Sequence, residues 1–248
     1  MMSWSAVRTE KSRGSRRSLC EVFAFRELLP MNNLPVDVTM RYLHSGSGDG
    51  DRMRALLSEE EVQRVESFTD PKRRREFVLG RVAARLLLSE RLAVAPSEVG
   101  LRVAESGVVE VASGGLYLSI SHSGDWAVAV ASPRRVGVDI ERITPRLPEL
   151  EQYMLHPDEP SLADVLPLDR ERANILCWTL KEATLKAMHR GLAYSPKKLR
   201  LDVGLEEGRA TVRDADGRLW EAWFEERDSY YAAVSVAPQA AMLSDIKG

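Results

Sequence analysis

The same order of elements occurs twice along this chain, and that repetition limits the folds open to it more than any other feature. The first pass begins at Val36, where V-D-V-T-M-R-Y-L alternates as a strand does, and S-G-S-G-D-G-D (45–51) ends it with turn residues. Ser58 precedes E-E-E with Glu61 three residues on, the spacing of a capping box, so a helix is expected to run through to Phe68. Thr69-Asp70-Pro71 opens a longer helix, K-R-R-R-E-F-V-L-G-R-V-A-A-R-L-L-L-S-E-R-L, with Val78, Leu79, Val82, Ala83 and Leu86 as its apolar side. Beyond Pro96, short strands near 99–104, 108–112, 116–120 and 126–131 alternate with Gly and Ser turns. The second pass has a strand at 136–140, then a proline-rich stretch with T-P-R-L-P (144–148), Pro157, Pro160 and Pro167. A helix over 170–189 follows, then strands near 199–203, 209–213, 218–225 and 230–236, with D-A-D-G (214–217) as a turn. Similar short strands, W-A-V-A-V-A (126–131) and Y-A-A-V-S-V-A (231–237), close the two passes. The expected architecture is α+β, a pseudo-twofold duplication of two similar subdomains, 34–133 and 134–248.

The charge balance excludes several classes of partner. Lys plus Arg total 35 against 37 Asp plus Glu in 248 residues, so nothing pulls the whole molecule toward nucleic acid or an anionic membrane, and any anion site must be local. A nucleic-acid reading of the basic runs at 8–17 and 72–75 also lacks interleaved stacking aromatics. No stretch approaches the roughly 18 apolar residues of a membrane span, and the N-terminus lacks the apolar core of a secretory signal. Cys20 and Cys177 fit no metal or redox spacing, which suits a reducing cytosol and a cytoplasmic protein. Residues 1–33 carry Arg8, Lys11, Arg13, Arg16 and Arg17 with little hydrophobic periodicity and are expected to form a disordered basic tail, with Met31 a candidate natural start.

Two segments can carry chemistry. In V-G-V-D-I-E-R-I, Asp139 and Glu141 are two apart on a strand and so point the same way, where their repulsion asks for a cation between them. In C-W-T-L-K-E-A-T-L-K-A, Glu182 and Lys186 are four apart on one helix face. Taken singly, these are also the marks of an exposed acidic strand end and a solvated helix face. In combination, D-x-E on a strand followed by a bulky apolar anchor and K-E-x-x-x-K on a helix is a specific set of residue types in a specific order. On the earlier helix, Arg74, Arg81 and Arg85 fall within about 20° of one another at 100° per residue and form a basic stripe opposite the apolar side.

V-G-V-D-I-E (136–141) and W-T-L-K-E-A-T-L-K (178–186) resemble the two signature segments of the Sfp-type 4′-phosphopantetheinyl transferases. S-I-S-H-S-G-D-W (119–126) and F-V-L-G-R-V-A-A-R (77–85) are similar to two further family segments, and the resemblance covers about Val36 to Ala237. It implies coenzyme A bound where the halves meet, and transfer of its phosphopantetheine arm to a serine of an apo acyl or peptidyl carrier protein. It also implies Mg2+ held by Asp139, Glu141 and Glu182, the pyrophosphate of coenzyme A completing the oxygen shell. Glu182 is then the candidate base and Lys186 the pyrophosphate contact, with Lys181 beside it. Arg74, Arg81, Arg85 and His122 are the remaining candidates for coenzyme A, and a monomer is expected. A binding module that has kept the fold and lost turnover is the alternative. One departure stands out: the basic residue that many members place before the S-H-S segment has as its counterpart here S-G-V-V-E (106–110), which offers no cation.

Overall fold

Small and large residues alternate in W-A-V-A-V-A, and the two sets serve opposite faces of one strand. In the computed structural model, which describes residues 31–47, 50–146, 149–190 and 194–238, this strand is β5 (Trp126–Ser132). Its Ala127, Ala129 and Ala131 let a helix approach closely, while Trp126, Val128 and Val130 face a second sheet. β5 pairs antiparallel with β1 (Thr39–His44), Thr39 opposite Ala131, and with β4 (Tyr117–Ser123), Tyr117 opposite Ser132. Between them in sequence, β2 (Leu101–Val103) and β3 (Val109–Val111) form a separate hairpin.

The second sheet contains β6 (Val136–Arg142), β7 (Arg200–Gly204), β8 (Arg209–Arg213), β9 (Leu219–Arg227) and β10 (Tyr230–Val236) in the antiparallel order β6-β10-β9-β8-β7. In each half the first strand pairs with the last, and the last with the one before it. The duplication expected from 126–131 and 231–237 is therefore realised, because β5 and β10 hold equivalent places. Met40, Tyr42, Val128, Val136, Val138 and Val234 fill the space between the sheets, and each half has a further core under its long helix.

Helices α1 (Gly50–Arg54), α2 (Glu59–Ser67) and α3 (Pro71–Leu92) belong to the first half. The Ser58 hydroxyl accepts from the Glu61 amide, and the Glu61 carboxylate accepts from the Ser58 amide, which is the expected capping box. Asp70 caps α3 by accepting from the Lys72 amide, Pro71 fills the position that needs no donor, and Ala93 ends the helix at φ 57°. The expected one-sided amphipathic helix is corrected here: every residue from Leu79 to Ser89 is buried. One side packs on β1, β4 and β5, and the other is covered by α2 and a turn of 3-10 helix at Pro96–Glu98.

In the second half, α4 (Glu149–Met154) and α5 (Leu162–Val165) occupy the proline-rich stretch, and α6 (Arg170–Ala187) packs on β6 and β10. The first two were not expected, since prolines around them broke the periodicity that marks longer helices. The expectations for residues 1–30, for 48–49 within the first turn segment and for 147–148 fall outside the described residues. Met31, expected within the tail, is instead buried against the core between the sheets. Among the described residues no helix is long and apolar enough to cross a membrane.

Candidate active site

Strand β6 is built to approach a helix. Val136, Val138 and Ile140 turn into the core between the sheets, which leaves Gly137, Asp139 and Glu141 on the face toward α6. A Cβ built on Gly137 would overlap the carbonyl oxygen of Ala183 and the amide nitrogen of Ala187. Glycine is required there by close backbone approach, and that approach brings the strand carboxylates to the helix residues Glu182 and Lys186.

Asp139, Glu141, Glu182, Lys186 and His122 line one cavity of about 270 Å³ with Ile120, Ser121 and Trp178. Lys186 Nζ lies 2.7 Å from Asp139 Oδ1 and donates at 2.9 Å to the Ser121 hydroxyl, which itself donates to Asp139 at 2.8 Å. Arg146 Nη2 is 2.8 Å from Glu141, and the Ser123 hydroxyl donates to the same carboxylate. The other oxygen of Asp139 and one oxygen of Glu182 are buried with no protein partner. Burial, and then the charge of Asp139, raise the carboxyls of both Glu141 and Glu182 above the ordinary range. Burial likewise lowers His122, Glu76 opposing the shift, so its imidazole is neutral near pH 7.

Those two unpartnered oxygens and the mutual repulsion of three acids suit a hard cation, and an all-oxygen donor set is what Mg2+ takes. Among the described residues, however, no group of three acidic, imidazole or thiol side chains is gathered closely enough to form a metal cage. Asp139 faces Lys186 and Glu141 faces Arg146, so each has a cation of the protein beside it.

Other expected contacts lie elsewhere. Lys181 is fully buried and donates to the carbonyls of Met154 and Leu199 and to Glu159, so it does not reach the cavity beside Lys186. Arg85 is 1% exposed and is bonded to Glu61 and to the carbonyls of Pro96, Ser97 and Val99. The expected stripe of three exposed arginines is thereby corrected: α2 and the 96–98 turn cover this side of α3. Arg74 remains at the surface with its guanidinium on the Phe68 carbonyl. Arg81 is mostly buried, 3.7 Å from Glu61, and lines a separate cleft of about 630 Å³. There Arg81 stands over Phe77 and Arg64 over Phe68, the two rings being 5.4 Å apart. Glu76, next to Phe77, is 3.9 Å from His122. Arg102, paired with Glu110, also lines this cleft. Cys177 takes no part: burial pushes its thiol up to about 12.

Sequence reasoning missed the serines of S-I-S-H-S. Ser119, Ser121 and Ser123 of β4 all reach β6: the first accepts from the Val138 amide, the second donates to Asp139, and the third accepts from the Arg142 amide and donates to Glu141. Their two-residue spacing was the available signal. They form the polar seam along which one half holds the carboxylate strand of the other.

Fold and site together define a duplicated α+β protein whose halves meet at a cavity of acids, a lysine and a histidine. The second half, residues 135–235, matches the profile of the 4′-phosphopantetheinyl transferase superfamily, and residues 60–132 match that of the 4′-phosphopantetheinyl transferase N-terminal domain. The chain belongs to this family. A phosphopantetheinyl transferase of Thraustochytrium sp. is 33% identical over 67% of this chain and 64% of its own. The 4′-phosphopantetheinyl transferase HetI of Nostoc sp. is 35% identical over 57% and 63%, and Sfp of Bacillus subtilis is 28% identical over 58% and 70%. The chain thus spans a little under two thirds of the length of the first two relatives.

Proposed function

We propose that this protein transfers the 4′-phosphopantetheine arm of coenzyme A to a serine hydroxyl of an apo acyl or peptidyl carrier protein. The observation that carries this reading is the convergence of Asp139, Glu141, Glu182, Lys186 and His122 on one cavity in a chain whose two halves both match the family. Asp139, Glu141 and Glu182 would hold Mg2+, which when bound supplies positive charge against the pyrophosphate. Lys186, already directed at this cavity, donates to a pyrophosphate oxygen, and neutral His122 donates one hydrogen bond from the opposite wall. The serine oxygen forms a bond to the phosphorus next to pantetheine, the pyrophosphate P–O bond breaks, and 3′,5′-ADP departs. Glu182, which lines the same cavity, accepts the serine proton. Arg81 and Arg64, which line the same cleft, would take the 3′-phosphate of the leaving nucleotide and so replace the cation that S-G-V-V-E lacks. A reducing cytoplasm and a monomeric state fit the buried free thiol of Cys177 and a carrier that must reach the cavity from outside.

The test is incubation with coenzyme A, Mg2+ and a panel of apo carrier proteins, read by intact mass. A gain of one phosphopantetheine on a carrier serine, abolished by chelator, is expected. Binding of coenzyme A with no mass gain on any carrier would decide for the non-catalytic binding module.

A further inference from the structure

We propose that Lys181 and Glu159 act as a positioning strut that sets one wall of the substrate space, an inference that rests on the transferase reading. Lys181 stands beside Glu182 in sequence but points into the interior, where neither charge of the pair meets water: the side chains are 0% and 4% exposed. Its ammonium gathers three separate segments. It donates at 2.8 Å to the Met154 carbonyl at the end of α4, at 2.6 Å to Glu159 in the loop that follows, and at 2.8 Å to the Leu199 carbonyl just before β7. Glu159 adds a fourth tie by accepting from the Leu201 amide at 2.6 Å.

The consequence for function runs through α4. Leu150 and Tyr153 of this helix line a cavity of about 640 Å³ together with Glu141 and Trp178, and those last two residues also line the carboxylate cavity. The two spaces therefore lie on either side of Glu141 and Trp178, and α4 lines the second. A six-residue helix has too few internal hydrogen bonds to hold its own position, and its last carbonyls lack partners within it. Tyr153, 48% exposed with its ring 6.2 Å from that of Trp178, gives a loose contact at best. Glu151 pairs with Arg170 at 2.7 Å in mid-helix, while the C-terminal end is held by the buried Met154 side chain and by the Lys181 ammonium on the Met154 carbonyl, a cation at a helix C-terminus. An apolar pair would satisfy burial as well as this ion pair does, but it would not hold the carbonyls of Met154 and Leu199. The charges therefore supply geometry through the backbone groups they hold.

The experiment compares wild type with Lys181→Met/Glu159→Leu, which removes both charges together, and with the milder Glu159→Gln. Melting temperature, acrylamide quenching of tryptophan emission, and kcat and KM for coenzyme A with an apo carrier are measured for each. All proteins compared carry Trp4→Phe, since Trp4 lies outside the described residues; among these Trp178 is the partly exposed indole beside α4, whereas Trp126, Trp220 and Trp223 are buried, so quenching then reports on this wall. The expected result is a double variant that still folds but melts lower, because the Met154 and Leu199 carbonyls and the Leu201 amide lose their partners, shows increased quenching and loses about tenfold in kcat/KM through KM, with Glu159→Gln intermediate. Quenching and kinetics like wild type in both variants, whatever the melting temperature, would overturn the strut. Should the double variant fail to fold, Glu159→Gln decides by the same two readouts. A wild type that transfers nothing to any carrier refutes the transferase reading instead, and quenching alone then decides whether the pair holds α4.

Discussion

Replacing Gly137 by alanine tests whether the candidate active site depends on the close approach of β6 to α6. The added methyl would overlap the Ala183 carbonyl oxygen and the Ala187 amide nitrogen and would stand 3.0 Å from the Lys186 carbonyl carbon. All three obstacles are backbone of one helix, so no rotamer change relieves them. An ordinary carbon contact begins at 3.4 Å, which obliges strand and helix to separate by roughly 1 Å or more. Overpacking of this kind costs about 1–3 kcal/mol, and two backbone obstacles put the expectation near ~3 kcal/mol. For a chain of this length that lowers the melting temperature by about 6–12 °C. The same separation draws Asp139 from Lys186, now 2.7 Å apart, and a misplacement of about 1 Å can cost ~100-fold in rate. Thermal melting and phosphopantetheine transfer below the melting transition measure the two effects separately. Gly50→Ala, with open space around the new methyl, is the control and leaves both unchanged. A Gly137→Ala protein that melts within about 1 °C of wild type and transfers at an equal rate would refute the claim that this glycine sets the site.

Glu182→Gln should retain the melting temperature and lose transfer by more than about 100-fold, with weakened Mn2+ binding by electron paramagnetic resonance; activity within about tenfold of wild type would remove Glu182 from the base and metal roles. Arg81→Ala should raise the KM for coenzyme A about tenfold or more while leaving that for dephospho-coenzyme A nearly unchanged, and equal effects on both would assign Arg81 to the fold through Glu61. Arg85→Met leaves Glu61 buried with one weaker cation and should cost about 3–5 kcal/mol in urea unfolding; a loss under about 1 kcal/mol would contradict the burial of that pair. Asp37 pairs with buried Arg134, whose hydrogen bonds hold its carboxyl below the ordinary range. Its contribution is therefore complete above the unfolded value of about 4 and is lost as pH falls through the lower folded value. Asp37→Asn should accordingly destabilise by about 1–2 kcal/mol at pH 7 and converge with wild type in acid, so a penalty that stays constant down to about pH 2 would count against the ion pair.

What the sequence determined by itself was everything that repeats at short range. Two-residue alternation placed Asp139 and Glu141 on one face of β6, four-residue spacing placed Glu182 and Lys186 on one face of α6, and Ser58 with Glu61 started α2 where expected. The doubled order of elements foretold two similar halves, and the two signature segments foretold the acids that share a cavity. Tertiary structure alone decided which long cationic side chains reach that cavity. Periodicity reports the face a helix turns to its own sheet, but not whether another segment covers its back. Arg85 is neutralised by Glu61, 24 residues away, and Lys181 by Glu159, 22 residues away, so residues that read as exposed and free to bind phosphate are instead internal ties. The serines of β4 show the converse. Hydroxyls are common on strands, and their place at the seam follows only when β4 lies along β6, the end strand of its sheet, whose Val138 and Arg142 amides need acceptors.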